Sequence, residues 1–333
     1  MSQINFEKYI DNTFSGCVLV TCNGKTIIQK SCGYSNLANK IPNKLDTRFA
    51  TASAGKVFVA IAVLQLIENG KLSFDTTIGE LLSFDLKDID EKITVKQLLN
   101  HTSGIPDYFN ESVFENYDEL WKDYPNYKIR TSADLIPLFI NKPMMYSAGS
   151  QFQYNNTGYV VLGLIIEKVT GMLFDRYIEQ NIFMPCGMND TGYYELDRLP
   201  ERCANAYIFD DVKGEYYTNI YSVDVKGTGA GGAFTTVLDV EIFWENLLSG
   251  ALISRNMLKD MFTMQAGNGN KHYGYGVWLK KTATGQLNPY FQGCDPGVSF
   301  ISNYDVEKDL IITAVSNFKC DVWQLSSALA SIS

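Results

Sequence analysis

The stretch Thr51-Ala-Ser53-Ala-Gly-Lys56-Val-Phe-Val-Ala-Ile-Ala-Val-Leu-Gln-Leu-Ile67 decides how the rest of the chain is read. Residues 57–67 are apolar all round except for Gln65, and the run stops at Asn69-Gly70. A helix with no polar face belongs inside a domain. At about half the length of a membrane span, the run predicts a core helix and a chain with no membrane span. Ser53 and Lys56 stand just before it, three positions apart. On a helix that spacing puts their Cβ atoms about 5–6 Å apart on one face. In a first helical turn, unsatisfied N–H groups and the helix dipole create positive potential. A lysine against an apolar core loses hydration, so its pKa falls. A neutral lysine beside a serine hydroxyl can take its proton, which activates a nucleophile without histidine. The Ser53 N–H can serve as one oxyanion donor. The bare spacing recurs at Ser316-Asn-Phe-Lys319, but there it follows a strand-like run and precedes no apolar helix. Context selects Ser53.

Tyr154-Asn155-Asn156 is a second candidate, in a loop before a helix expected over Gly158 to Val169. A tyrosine near a lysine can exist partly as phenolate or relay a proton, and the Asn156 amide can orient a substrate carbonyl. The pattern alone is weak, because Tyr34, Tyr124 and Tyr217 also have Asn two positions on. Gly227, Gly229 and Gly232 satisfy G-x-G-x-x-G, but no clear strand or βαβ unit precedes them. A tight turn with close backbone approach is therefore expected there rather than a nucleotide site. The only two histidines are His101 and His272. That scarcity argues against poly-histidine metal sites and leaves a Ser-His-Asp triad few bases. His101, in the loop His101-Thr-Ser-Gly-Ile-Pro106, is expected to brace the loop, and His272 is a weak candidate for substrate contact.

Thirty-seven acidic against 28 basic side chains give a net charge of −9, a field that repels a phosphate backbone, so no nucleic-acid partner is expected. Seven scattered cysteines without a C-x-x-C pair suit free thiols in a cytoplasmic protein. The N-terminus shows no basic-then-apolar export pattern. An amphipathic helix is expected over 4–14. A hairpin is expected where Asn23-Gly24 separates Cys17–Cys22 from Thr26–Ser31. Short helices are read at Thr94–Asn100 and about 172–181, and a long loop or lid over 108–130. A helix from Val237 to Leu248 carries a Thr236/Asp239 capping box. Strand-like runs follow at Tyr275–Leu279, Val298–Ser302 and Leu310–Val315, then a helix from about 321. Strands at both ends with helices between them predict an α+β fold. Residues 1–75 with 220–333 would form the sheet domain, and residues 76–219 a mainly helical one.

With these pairs in this order, the chain resembles the serine β-lactamase and penicillin-binding protein superfamily. It is most similar to the class C β-lactamase, D-alanyl-D-alanine carboxypeptidase and esterase branch. Leu98-Leu-Asn-His-Thr-Ser-Gly-Ile105, Tyr154-Asn-Asn-Thr-Gly-Tyr-Val-Val-Leu-Gly163, Met184-Pro-Cys-Gly-Met188 with Asp190-Thr191, Gly229-Ala-Gly-Gly232 and Tyr273-Gly-Tyr-Gly276 extend the likeness over roughly residues 15–320. The resemblance implies a β-lactamase/transpeptidase-like fold, an antiparallel sheet flanked by helices with an inserted helical domain, and an active site between them. It implies Ser53 as acylated nucleophile, Lys56 and Tyr154 sharing the proton transfers, and Asn156 holding the substrate carbonyl. No cofactor or metal is implied, and the partner is a small-molecule or peptide substrate. The family's third motif, Lys-Thr-Gly or His-x-Gly, falls by position on Phe291-Gln292-Gly293, with the Cys294 N–H as second oxyanion donor. Gly293 and Cys294 thus join the substrate-binding set, but the cation or imidazole is missing. A charge-assisted hydrogen bond to a carboxylate contributes about 1.5–3 kcal/mol. Weak β-lactam turnover and a preference for uncharged esters or amides are therefore expected. The alternatives are a penicillin-binding carboxypeptidase or β-lactamase, and a catalytically weak binding or sensor protein of the same fold.

Overall fold

The computed structural model describes residues 14–113 and 117–331. Apart from Phe14, the helix expected over 4–14 lies outside the described residues. Two segments far apart in sequence build one eight-stranded sheet. β1 (Gly16–Cys22) and β2 (Lys25–Cys32) come from the first, and six strands come from the second: β3 (Ala266–Asn268), β4 (Lys271–Tyr273), β5 (Trp278–Lys281), β6 (Leu287–Asp295), β7 (Val298–Asp305) and β8 (Leu310–Ser316). The order is β2-β1-β8-β7-β6-β5-β4-β3, antiparallel throughout. The β1–β2 turn is formed by Asn23 and Gly24 at φ 50° and 67°, as the Asn-Gly dipeptide requires.

Alternation along these strands splits the sheet's apolar side chains between two layers. Val18, Val20, Ile312 and Ala314 pack under α4 (Val322–Ala330), on Val322, Leu325 and Leu329. Cys17, Leu19, Ile311 and Val315 face the larger core, which includes α1 (Lys56–Glu68), α2 (Asn156–Thr170) and α3 (Val237–Ser249). α1 is buried along its length, as its composition predicts, and Phe58 meets Phe183 and Phe243 edge-on. Short elements fill the span between α1 and α2, including a helix over Val95–Leu99 capped by Thr94 and 3-10 turns over Tyr117–Lys122, Asn126–Lys128 and Ser132–Leu138.

Several local expectations shift. Residues 275–277 precede β5, which runs from Trp278 to Lys281, because Gly276 takes φ 78° and breaks the strand. The helix read over 172–181 is an α-helix over Phe174–Ile178 that widens into a π turn through Phe183. Thr236 caps α3 by accepting from Asp239 N at 3.0 Å. The Asp239 carboxylate does not close the capping box, because it accepts instead from Asp190 N and Thr191 Oγ1 at 2.9 and 2.7 Å.

Candidate active site

Ser53 sits in a 3-10 turn, Ala52–Gly55, that leads into α1 rather than in the first turn of the α-helix itself. The tighter winding still places residues three apart on one face, and Lys56 Nζ lies 2.9 Å from Ser53 Oγ. The turn is fixed from outside. Phe49 and Ala50 pair with Phe234 and Thr235, Thr51 N donates to Ala233 O, and Gly232 N donates to Ala52 O. Ala52 is held at φ 47°, a conformation costly for a residue with a Cβ. The 227–232 glycines allow this close approach. A Cβ on Gly231, at φ 140°, would stand 2.3 Å from Ala52 O, and one on Gly229 would stand 2.1 Å from Tyr159 O. The segment is a backbone contact surface behind the serine, as its glycine content predicts, and not a phosphate loop.

Lys56 is 2% exposed and enclosed by α1 and α2. Its Nζ contacts three oxygens: Ser53 Oγ, Asn156 Oδ1 at 2.9 Å and Ala230 O at 2.5 Å. A neutral amine has two N–H groups and one lone pair. Asn156 Oδ1 and Ala230 O can only accept, so the lone pair is left for the Ser53 hydroxyl proton. Burial lowers the Lys56 pKa from 10.5 to about 8, opposed by the charges of Glu111, Asp107, Asp295 and Asp224.

Tyr154 lies beside Ser53, and its ring is 5.0 Å from Lys56 Nζ. Its hydroxyl is not partly phenolate. Burial and the nearby Glu111 charge push its pKa well above the ordinary value, so it carries its proton and can act as donor and relay. Asn156 opens α2, and Asn155 caps that helix by accepting from Gly158 N at 2.8 Å. The Asn156 Nδ2 donates to Phe109 O and Glu111 Oε1, which aims its oxygen at Lys56.

β6 lies against the Ser53 turn. β5 pairs with it only through Tyr290, so residues 291–295 keep one unpaired edge. A Cβ on Gly293 would stand 2.2 Å from Thr51 O and 2.7 Å from Ser53 N, so only glycine lets the strand edge reach the serine. Cys294 lines the cleft. Phe291 does not: it is 3% exposed and stacks on Trp244 and Phe300 in the core. Gln292 accepts from Trp323 Nε1 on the other face. Neither of these side chains offers a polar group to the cleft.

The cleft beside Ser53 has a volume of about 1050 Å³. Four carboxylates, Glu111, Asp211, Asp224 and Asp295, line it together with Lys319. Burial raises Asp224 to about 7, and burial together with Asp224 raises Asp295 to about 8. These acids were missed in the sequence. Asp295 directly follows Cys294, but Glu111 and Asp224 lie in aperiodic loops that only tertiary structure brings to the site. His101 is buried and neutral: burial and Lys56 hold its pKa well below the usual range, and Nδ1 accepts from Asn155 N at 3.2 Å. It braces the loop, as expected. His272 lies in β4 and does not line the cleft.

The family model described as Beta-lactamase matches residues 5–319, and the chain belongs to that family. Fold and site together define a serine hydrolase of the β-lactamase/transpeptidase superfamily. Among its relatives, the chain is 31% identical over 318 residues to penicillin-binding protein 4* of Bacillus subtilis, covering 90% of this chain and 67% of that protein. A penicillin-binding protein from Bacillus halodurans of known structure superposes with a TM-score of 0.93 at 36% identity, over 98% of both chains. A D-stereospecific amidohydrolase from Streptomyces shares the fold, with a TM-score of 0.80 at 22% identity over 98% of this chain and 96% of that one. No single helix among the described residues is long and apolar enough to cross a membrane.

Proposed function

We propose that this protein, a class C-like member of its family, hydrolyses small esters or amides through an acyl-enzyme on Ser53. The observation that carries this reading is the three-oxygen environment of Lys56 Nζ, which leaves a neutral amine's lone pair for Ser53 Oγ–H. Lys56 takes the hydroxyl proton as Ser53 Oγ attacks the substrate carbonyl. The Ser53 and Cys294 N–H groups receive the oxyanion at the open edge of β6. Tyr154 donates its phenolic proton to the leaving group and is reprotonated from Lys56, while Asn156 orients the substrate carbonyl with the Nδ2 hydrogen that Glu111 accepts in the free site. A water then attacks the ester carbonyl, its proton follows the reverse route, and Ser53 is released.

Substrate preference follows from the charges. No cation stands at the first position of the third motif, and Glu111 lines the cleft and contacts the Asn156 amide next to Lys56, so a substrate carboxylate finds no salt bridge at that motif and meets the Glu111 charge instead. Uncharged acyl groups are favoured, and β-lactams, which carry a carboxylate, are turned over weakly. The division into a sheet unit (1–75 with 220–333) and a helical unit (76–219) is part of the same reading, and limited proteolysis within its junctions tests it. Seven scattered cysteines with no C-x-x-C pair support a cytoplasmic location, which cell fractionation tests.

The central test is labelling with a fluorophosphonate and a fluorescent penicillin side by side, followed by peptide mapping. Fluorophosphonate adduct on Ser53, lost in Ser53→Ala, is expected. Absence of labelling together with absence of ester hydrolysis across pH 6–9 refutes the catalytic reading. Efficient labelling by micromolar penicillin refutes the substrate preference instead.

A further inference from the structure

The loop that begins His101-Thr-Ser-Gly-Ile-Pro106 ends in a buried carboxylate that takes no direct part in the chemistry above. Asp107 is 5% exposed. Its Oδ2 accepts from Asn156 N at 3.0 Å, and its Oδ1 accepts from Thr157 N at 3.1 Å, Thr157 Oγ1 at 3.2 Å and Phe109 N at 3.4 Å. Thr157 Oγ1 in turn accepts from Tyr108 N at 2.8 Å. Residues 107–109 and 156–157 are thereby tied into one knot. Upstream, the same loop holds Asn155 through His101 Nδ1 and through Ile105 O, to which Asn155 Nδ2 donates at 2.7 Å.

We propose that Asp107 is a positioning residue for the Ser53 reaction, its carboxylate setting the Asn156 amide against Lys56. The inference rests on the catalytic reading above. The Asn156 side chain is held at both ends, by Lys56 at Oδ1 and by Phe109 O at Nδ2. Asp107 fixes the backbone at both Asn156 and Phe109, so it governs the two anchors together. Ordinary helix capping does not account for this, because Asn155 already caps α2. The carboxylate takes the next two backbone donors and ties them to the wall of the cleft.

The acid form of Asp107 cannot keep this arrangement, because its proton would replace a lone pair in a ring of donors. The groups facing it are Lys56 from α1, the backbone and hydroxyl donors of α2, Lys142, whose Nζ donates to Asp107 O at 3.1 Å, and the Tyr108, Tyr146 and Tyr154 phenols. Burial raises its pKa to about 6, against the pull of the Asn156 and Thr157 N–H groups and Lys56.

The experiment is the pH profile of kcat/KM for an uncharged ester, measured on the wild-type chain, Asp107→Asn and Thr157→Val, with fluorophosphonate stoichiometry recorded for each. Wild type should fall with a slope of one proton below about pH 8, steepening to two protons below about pH 6. Asp107→Asn should lose roughly ten- to a hundredfold at pH 8, chiefly in kcat, keep full labelling of Ser53 at long times, and lack the steepening. Thr157→Val keeps the carboxylate and should lose less while retaining the steepening. A folded Asp107→Asn with wild-type kcat/KM, or one that still steepens, overturns the proposal. If Asp107→Asn does not fold, a wild-type profile without steepening overturns it. Failure of wild-type Ser53 to be labelled rejects the catalytic reading instead, so the two failures are distinguishable.

Discussion

Glu111→Gln tests how the site tunes its base. With Lys56 near 8, about one tenth of the amine is neutral at pH 7, against roughly one part in three thousand at the ordinary value of 10.5. Glu111 is the leading charge that works against this depression. Its carboxylate touches the Nδ2 of the same Asn156 amide whose Oδ1 touches Lys56 Nζ. That puts the charges about 7 Å apart. Glu111 is exposed, so an effective dielectric constant near 40 applies, and the coupling is about 1 kcal/mol, a little under one pKa unit. Glutamine keeps the oxygen that accepts from Asn156, so the charge is the main change. The acidic limb of kcat/KM for an uncharged ester should move from about 8 toward pH 7, with the same plateau. At pH 7 the rate should rise about fourfold, and the gain should shrink in 0.5 M salt. Stopped-flow or initial-rate ester hydrolysis over pH 5.5–9.5 reads this directly. A limb that stays in place, or moves upward, refutes Lys56 as the titrating base.

Three further outcomes follow from the geometry. Phe291→Lys, which writes the family's missing cation into the third motif, should destabilise the fold by about 3 kcal/mol or more, because the side chain enters the Trp244/Phe300 stack instead of the cleft. Urea unfolding reads the loss, and faster penicillin acylation with unchanged stability would contradict it. Gly231→Ala should lower kcat/KM at least about tenfold, since its Cβ would stand 2.3 Å from Ala52 O and displace the nucleophile turn. A wild-type acylation rate in that variant would refute the proposed backbone role. Asp224 and Asp295 have folded pKa values raised from 3.8 to about 7 and 8, so the folded chain keeps protons that the unfolded chain has released. Their contribution to stability is complete below about pH 4 and is lost as pH rises through 8. Thermal melts should therefore show Asp224→Asn/Asp295→Asn flattening that decline between about pH 4 and 8. An unchanged pH dependence would show that the two groups titrate normally.

What the sequence disclosed was set by short-range physics. An apolar helix with no polar face, an Asn-Gly hairpin and glycines that tolerate close approach are local facts, and α1, the β1–β2 turn and the 227–232 contact surface appear where those residues stand. Ser53, Lys56, Tyr154 and Asn156 were legible for the same reason, since their spacing and context carry the geometry. Phe291 shows the limit: its motif position was readable, but whether its side chain faces the cleft depends on the pleat and on what packs beneath it. The acid lining was hidden for a related reason. Glu111, Asp224 and Asp295 come from three separated segments, and no periodicity links them. The half-formed cap at Thr236 likewise turned on a distant contact, because Asp190 and Thr191 take the carboxylate that local spacing assigns to the helix.

The missing cation and the apolar helix bear on each other. A lysine at the third motif would have helped keep Lys56 neutral by repulsion between like charges. In this chain the nearby charges act in the opposite direction, because Glu111, Asp107, Asp295 and Asp224 all favour the ammonium form. Only burial depresses the base, and it must outweigh four carboxylates. That requires the 2% exposure of Lys56 and an α1 that carries no polar face along its buried length. The run over residues 57–67 is therefore more than the filling of a core. It is the low-dielectric surround on which the proposed histidine-free base depends in an acidic cleft, and a polar residue placed on the face of α1 next to Lys56 should move the acidic limb of the pH profile to higher pH even if the fold survives.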